Sequence, residues 1–543
     1  MTPATGRPRR SLRAILVALA LTLALPVMTT GAQGHPNQAP KVSLAAAAPA
    51  GSQVIGLINS TQEFDGTMFE GIPDGLGVVP VGNGKRFIDI YVAFEQSHVP
   101  FMNVADREDS SVQVARLDLK TKQIVSLDEV LPPTAGYIRF CSAFMAGPAQ
   151  GFDDYTFFVN EESTDYLPVP AGAQYGADPS ITPFRQAGYA VWLDTSSGEY
   201  AQVPGMGRHN HENTVIVPGG WDDIVALSGD DTFSAPSSQL YMYAAANPGA
   251  FKQDKGSLWA FRVTGTNGTP LADPADPFNN ANDYLEIGPA DNWQGEFIPV
   301  PDDIADGTTG TPPQQALEDW SNANNVFQFV RVEDIAYDPD NPRTVYFADT
   351  GTTRLVESGT TGRLFRAGST AFPYFNSDGR IFKMVLDDDD PTQVDSFSIL
   401  AQGLLREQTG AATFNLIDAG VGFVNPDNID IGHTSLMVQE DGASNNDVWQ
   451  HPLGTSTWNK VASATQTATA ETSGIIDASA WLGAGWWILD VQSHVAADTP
   501  TAAGTWGDDP VLEPIYSGGP ANGSAYSLRR EDGQLLLLYL PGT

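Results

Sequence analysis

Apolar residues along this chain come in short runs, each closed by a turn signal. Tyr155 to Val159, Tyr189 to Leu193, Thr214 to Val217, Ile224 to Leu227, Leu240 to Tyr243 and Ser257 to Phe261 are examples from the first half. Thr344 to Ala348, Gly379 to Leu386, Ser435 to Val438, Trp486 to Val491 and Gln534 to Tyr539 continue the series. Turns rich in Asp, Gly and Pro separate the runs, as at Asp194–Gly198, Asp338–Pro342 and Asp387–Asp390. The runs favour β-branched and aromatic side chains, which fit a pleated surface, and the turn residues reverse the chain readily. Helical periodicity is weak after the N-terminal region. The unit of strand, turn and strand recurs without a fixed period, which predicts an all-β propeller of divergent blades. Two stretches rich in Pro, Gly, Thr and Asp, Pro301 to Asn325 and Ala497 to Asn522, read as loop insertions over one face. No hinge divides the chain, so residues 54–543 are expected to form a single large domain.

The N-terminus changes the picture only in its first residues. Arg7, Arg9, Arg10 and Arg13 precede an apolar run from Ala14 to Met28, and the small residues Thr30-Gly31-Ala32 follow. The run is too short and wrongly flanked for a spanning helix, so residues 1–32 read as an export signal. Arg9-Arg10 fits a twin-arginine signal, and a general secretory signal fits as well. Residues 33–53, rich in Ala and Pro, read as a mobile leader. The expected product is secreted, periplasmic or at the cell surface, with no membrane insertion once the signal is removed. A monomer is expected.

Among the 543 residues, 41% are hydrophobic, enough for a large core, and the 53 Gly and 39 Pro favour turns over long helices. The net charge is −37. Such a surface repels nucleic acid and anionic lipid. It serves solubility, and its Asp-rich turns also suit calcium, a hard cation that takes six to eight oxygens. Cys141 is the only cysteine, so no internal disulfide is possible. It is either a buried small hydrophobe or a metal ligand.

The candidate chemistry is concentrated in Gly207-Arg208-His209-Asn210-His211-Glu212-Asn213, at the start of the strand Thr214 to Val217. His, Glu and Asn bind metals or move protons, and an Arg can grip an anion with two hydrogen bonds. A polar turn capping a strand is the other reading. Arg331-Val332-Glu333-Asp334 precedes another strand, where alternation points Arg331 and Glu333 the same way, into a cavity or as a surface ion pair. Asn425-Pro426-Asp427-Asn428, Ser228 to Asp231 and Asn160-Glu161-Glu162 place further acids at strand ends. There is no Gly-x-Ser-x-Gly elbow.

Taken in their order along the chain, with Cys141 ahead of them, and with Leu240 to Tyr243, these segments resemble the exported bacterial alkaline phosphatases of the PhoX type. Gly-Arg-x-x-His-Glu and Arg-x-Glu-Asp carry most of the resemblance, which spans roughly Cys141 to Gln492. It implies a six-bladed β-propeller whose funnel holds iron (Fe3+) and calcium (Ca2+) ions and hydrolyses phosphate esters. It implies Arg331, Glu333 and Glu212 as the catalytic set and Cys141 as an iron ligand. Glu161, Glu162, Glu212, Glu333, Asp334 and Asp427 are the other implied metal ligands. Arg331 would hold the substrate phosphate, with Asn428 and His211 beside it. The alternatives are a calcium-only propeller resembling phytases or other esterases, and a non-catalytic calcium-stabilised propeller used for binding.

Overall fold

The computed structural model describes residues 36–542, apart from 61, 97–108, 233–237, 277, 280, 361, 367–371, 442–445, 466–469, 497–511 and 516–526. The expected signal, residues 1–32, lies outside the described residues. The fold is all-β. Each of its main sheets begins with an inner strand, and the following strands pair antiparallel outward from it. The inner strands are Pro73–Val81 (β1), Phe140–Ala146 (β2), His211–Val217 (β3), Val332–Asp338 (β4), Pro426–Ile431 (β5) and Ala470–Asp477 (β6). β1 packs against β2, β2 against β3, and so on round to β6, which packs against β1. The sheets begun by β3 and β4 also join at their outer edges through Trp293–Pro299. The sheet begun by β6 is completed from the start of the domain, where Gln53–Asn59 pairs with Ser527–Tyr539. The two ends of the domain therefore lock one sheet together.

Each pair of neighbouring sheets encloses its own apolar cluster. Phe157 and Val191 meet Tyr91 and Val114 on one side of their sheet, and Phe158 and Ala190 meet Ile216 and Tyr243 on the other. Leu535 and Leu537 face the sheet of β1, while Leu536 and Leu538 face that of β5. Successive side chains of a strand point to opposite faces, so a strand covered on both faces needs consecutive apolar residues. This is why the sequence carries continuous apolar runs and little strict alternation.

Two expectations need correction. Val42–Leu44, inside the supposed leader, is a strand paired with Ala462, Ser463 and Ala464. Val42 is buried in the apolar cluster of that sheet, and burying a Val side chain stabilises by roughly 1.5–3 kcal/mol. Pro301 to Asn325 is not a plain loop, because Asp302–Ala305 and Pro313–Ala323 are helices. The second begins with Pro313 in its first turn, where a missing N–H costs nothing. It buries Leu317 against Tyr241 and Leu258. Of Ala497 to Asn522, only Leu512–Ile515 is described, as a strand on Ser527–Tyr539.

Candidate metal centre

Near the beginning of each inner strand stands one acid or thiol: Asp74 on β1, Cys141 on β2, Glu212 on β3, Glu333 on β4, Asp427 on β5 and Glu471 on β6. At or beside each of these positions the pairing register slips. The slips lie at Pro73/Leu76, Phe140/Ala143, His211/Thr214, Val332/Ile335, Pro426/Ile429 and Thr472/Ile475. A bulge inserts an unpaired residue and re-aims its side chain, so an acid can turn toward the ring axis while the rest of the strand keeps its pairing. Ile72, Arg139 and Asn425 have φ of 51°, 52° and 51°, each two residues before a site residue. For a β-branched residue such as Ile72 this left-handed conformation is strained, and such strain gathers where a site over-determines the backbone. The strands also approach closely. A Cβ at Gly75 would lie 2.5 Å from the Cys141 carbonyl oxygen, and one at Gly229 would lie 2.7 Å from that of Glu333.

The ligand atoms of five of these residues, all but Glu471, converge. Asp74, Glu95 and Cys141 form one group whose ligand atoms lie within 4.8 Å of one another, Cys141, Glu162 and Glu212 a second, and Glu212, Glu333 and Asp427 a third. Cys141 and Glu212 each belong to two groups, so the three make one continuous buried cluster. Neighbours fix its members. Ser142 Oγ donates to Glu212 Oε1 at 2.8 Å and accepts from Asn428 Nδ2 at 2.7 Å. Thr350 Oγ1 donates to Glu333 Oε1 at 2.5 Å. The Cys141 thiol points at Asp74 Oδ2, 3.5 Å away. Gln492 Nε2 faces Asp74, Glu95 and Glu471 at 3.1, 3.2 and 3.0 Å. At the edge, Arg331 donates to both oxygens of Asp231 at 2.6 and 2.8 Å and lies 3.1 Å from Glu333.

So many acids in one buried place cannot all stay ionised alone. Burial, then Glu333, Glu162, Asp74 and Asp231, pushes the Glu212 carboxyl well above its usual range. Burial and Asp231 do the same to Glu333, and Arg331 opposes them. Burial, Glu212 and Glu471 raise Asp427. Burial and Glu95 raise Asp74 to about 8, and burial with Asp74 and Glu212 raises the Cys141 thiol. Asp427 Oδ1 and Asn428 Oδ1 are buried without a hydrogen-bond partner. Orphaned oxygens among crowded carboxyls are what multivalent cations would satisfy. The donor set fits calcium on the oxygens and a softer metal on the thiolate.

A profile of the family described as alkaline phosphatase PhoX matches residues 151–480. The chain belongs to the PhoX family. It is accordingly a metal-dependent phosphoric ester hydrolase. The structure of Pseudomonas fluorescens PhoX in complex with vanadate, a transition-state analogue, aligns with it at 15% identity and a TM-score of 0.58, covering 93% of this chain and 97% of that one. The PQQ-bound aldose sugar dehydrogenase of Streptomyces coelicolor aligns at 12% identity over 90% of this chain and 100% of that one, with a TM-score of 0.32, too low to bear on the fold. Curated protein sequences give no match. The PhoX profile takes in Glu162, Glu212, Glu333, Asp427 and Glu471, whereas Asp74 and Cys141 precede it.

For a PhoX member the placement of the expected residues divides clearly. Cys141, Glu162, Glu212, Glu333 and Asp427 stand together in the cluster, with Arg331 and Asn428 against it. Glu161 does not join them. It faces away and is held by Arg185 at 2.6 and 2.7 Å and by the N–H groups of Ile138 and Tyr189. Asp334 also turns away, accepting from Asn213 and from the N–H groups of Ile335 and Ile429. One position along a strand reverses the face, which separates Glu161 from Glu162 and Asp334 from Glu333. His211 is engaged on both nitrogens, by Ser228 and the Gly207 carbonyl, and burial lowers it to about 4, so it is no phosphate contact. Arg208 is paired with Asp178 and does not grip a ligand.

Sequence reasoning missed Asp74, Glu95, Glu471 and Gln492, and it read Asp231 only as a strand-end acid and not as the partner of Arg331. A signal for most of the ring existed, because the strand-entry residue is followed by a small, amide or acidic residue at Asp74-Gly75, Cys141-Ser142, Glu212-Asn213, Glu333-Asp334 and Asp427-Asn428. One test concerns support of the cluster. Thr350→Val removes the hydroxyl that fixes Glu333 at constant shape, and kcat should fall about 10- to 100-fold, as for other groups that orient metal ligands. Steady-state kinetics on a phosphate monoester, with metal content measured in parallel, checks this.

Proposed function

We propose that this PhoX member is an exported phosphatase of six-bladed β-propeller form that hydrolyses phosphate monoesters at an iron and calcium cluster. The carrying observation is the one acid or thiol contributed by every inner strand, each beside a bulge, with Arg331 at the cluster's edge. Six apolar clusters between neighbouring sheets and the cyclic contacts of β1 to β6 support the count of blades. Cys141 with Glu162 and Glu212 suits iron, and the all-oxygen group of Glu212, Glu333 and Asp427 suits calcium. Bound there, the cations supply the positive charge that draws a phosphate into a negative funnel and offsets the charge developing on its oxygens. Residues 1–32 would direct export.

The protein's own groups do the rest. A phosphate monoester carries roughly two negative charges near neutral pH. Arg331 is the cation it meets, with 23% of the side chain exposed. Asp231 holds the guanidinium by two bonds, so its planar fork is oriented before substrate arrives. Asn428 spends its N–H donors on Ser142 and Asp74, and its orphaned oxygen suits a cation better than a phosphate. Ser142 and Thr350 keep Glu212 and Glu333 aimed inward.

Vanadate, the analogue bound in the Pseudomonas fluorescens structure, is the probe. Arg331→Lys keeps the charge and removes the fork. Vanadate inhibition should weaken about 10- to 100-fold with metal content unchanged, a loss typical of one hydrogen bond to a charged group. Unchanged vanadate inhibition would remove Arg331 from the phosphate site.

A further inference from the structure

The buried cluster meets a second arginine at its other end. Arg331 stands beside Glu333, in the group of Glu212, Glu333 and Asp427. Arg139 Nη2 lies 3.6 Å from Glu95 Oε1, in the group of Asp74, Glu95 and Cys141. The group of Cys141, Glu162 and Glu212 joins those two. Glu162 feels both sides: burial raises its carboxyl, Arg139 lowers it, and Asp231, the acid that grips Arg331, raises it again. One arginine therefore stands at each end of the continuous cluster.

Arg139 is held differently from Arg331. Arg331 is fixed through its guanidinium, by two hydrogen bonds to Asp231. Arg139 is fixed through its backbone. Its N–H donates to the Gln96 carbonyl at 2.7 Å, and its carbonyl accepts from Glu162 N at 2.9 Å. These bonds hold it at a φ of 52°, directly before β2 and two residues before Cys141. Such strain persists where the surroundings over-determine the backbone, as they do at ligand clamps. A guanidinium placed only to neutralise Glu95 would sit at hydrogen-bond distance from it. The contact at 3.6 Å is longer than that, and 40% of the side chain is exposed. The guanidinium thus keeps donors for a ligand. We propose that Arg139 is a second anion-binding residue, which makes the protein favour phosphate esters carrying a further phosphate group at the end of the molecule remote from the reacting one. The inference rests on the reading of the cluster as a phosphatase site with Arg331 on the reacting phosphate.

The test compares phenyl phosphate with p-phenylene bisphosphate on the metal-loaded protein. The rigid ring separates the two phosphates, because the two arginines belong to ligand groups at opposite ends of the cluster. The bisphosphate should have the higher kcat/KM by about tenfold, the low end of what a hydrogen bond to a charged group is worth, and chiefly through a lower KM. The net charge of −37 would by itself disfavour the more anionic ester. Arg139→Met keeps the length of the stem and removes the charge, so it should abolish the preference. Arg139→Lys should restore most of it. If Arg139→Met does not fold, Arg139→Gln makes the same comparison. Equal kcat/KM for the two esters on the unaltered protein, or a preference that survives the loss of the charge, overturns the proposal and leaves the phosphatase reading standing. Hydrolysis of neither ester overturns that reading, and this inference with it.

Discussion

Glu212→Gln is expected to lower phosphatase turnover by about 10³-fold or more, on the scale of removing a preorganised electrostatic group from an active site. Glu212 is shared by two of the three ligand groups, so its loss disturbs more than one cation. The amide keeps the shape and can still accept from Ser142. The same change removes a charge that crowds Glu333, Glu162, Asp74 and Asp231. The variant should therefore shift stability in opposite directions in the two states. With metal bound, it should unfold at lower temperature than the unaltered protein. After chelation, it should unfold at higher temperature at pH 8, because one buried charge is gone. Thermal unfolding of both proteins, loaded and chelated, checks the pair of signs. A chelated variant less stable than chelated parent would mean that Glu212 supports the fold by itself.

The second large effect is the response of the metal-free protein to pH. A carboxyl whose folded pKa is raised binds its proton more tightly folded than unfolded. Stability is then full below the unfolded pKa and is lost as pH rises toward the folded one. Asp74 moves from 3.8 to about 8, chiefly through burial, and Asp430 from 3.8 to about 7 for the same reason. Chelated protein should lose stability steadily from about pH 4 to pH 8. A tenfold difference in proton affinity between the folded and unfolded states is worth about 1.4 kcal/mol, so the total loss is several kcal/mol. Metal ions replace the protons of the cluster acids only, so the loaded protein should lose less stability through that window than the chelated one, and metal affinity should rise with pH. A flat profile after chelation would mean that the acids are already balanced within the fold.

What was legible in the sequence follows from what each signal depends on. The strands announce themselves locally, because a strand covered on both faces must be apolar throughout, as at Leu535 to Leu538. Glu212 and Glu333 were readable from short motifs. Which of two adjacent acids faces the axis was not, because it depends on a register slip created by pairing with another strand. Hence the motifs group Glu161 and Asp334 with Glu162 and Glu333, and the bulges separate them. Asp74 and Glu471 stand at opposite ends of the domain and reach the cluster only because the ring closes between β6 and β1. The helix Pro313–Ala323 was obscured by its Pro- and Thr-rich approach, since its burial comes from contact with Tyr241 and Leu258.

The most direct test is elemental analysis of the purified protein, lacking residues 1–32, before any metal is added. The ring of Asp74, Cys141, Glu212, Glu333, Asp427 and Glu471 predicts more than one tightly held multivalent cation per chain, with iron as well as calcium among them. Folded, active protein carrying no multivalent cation would contradict it.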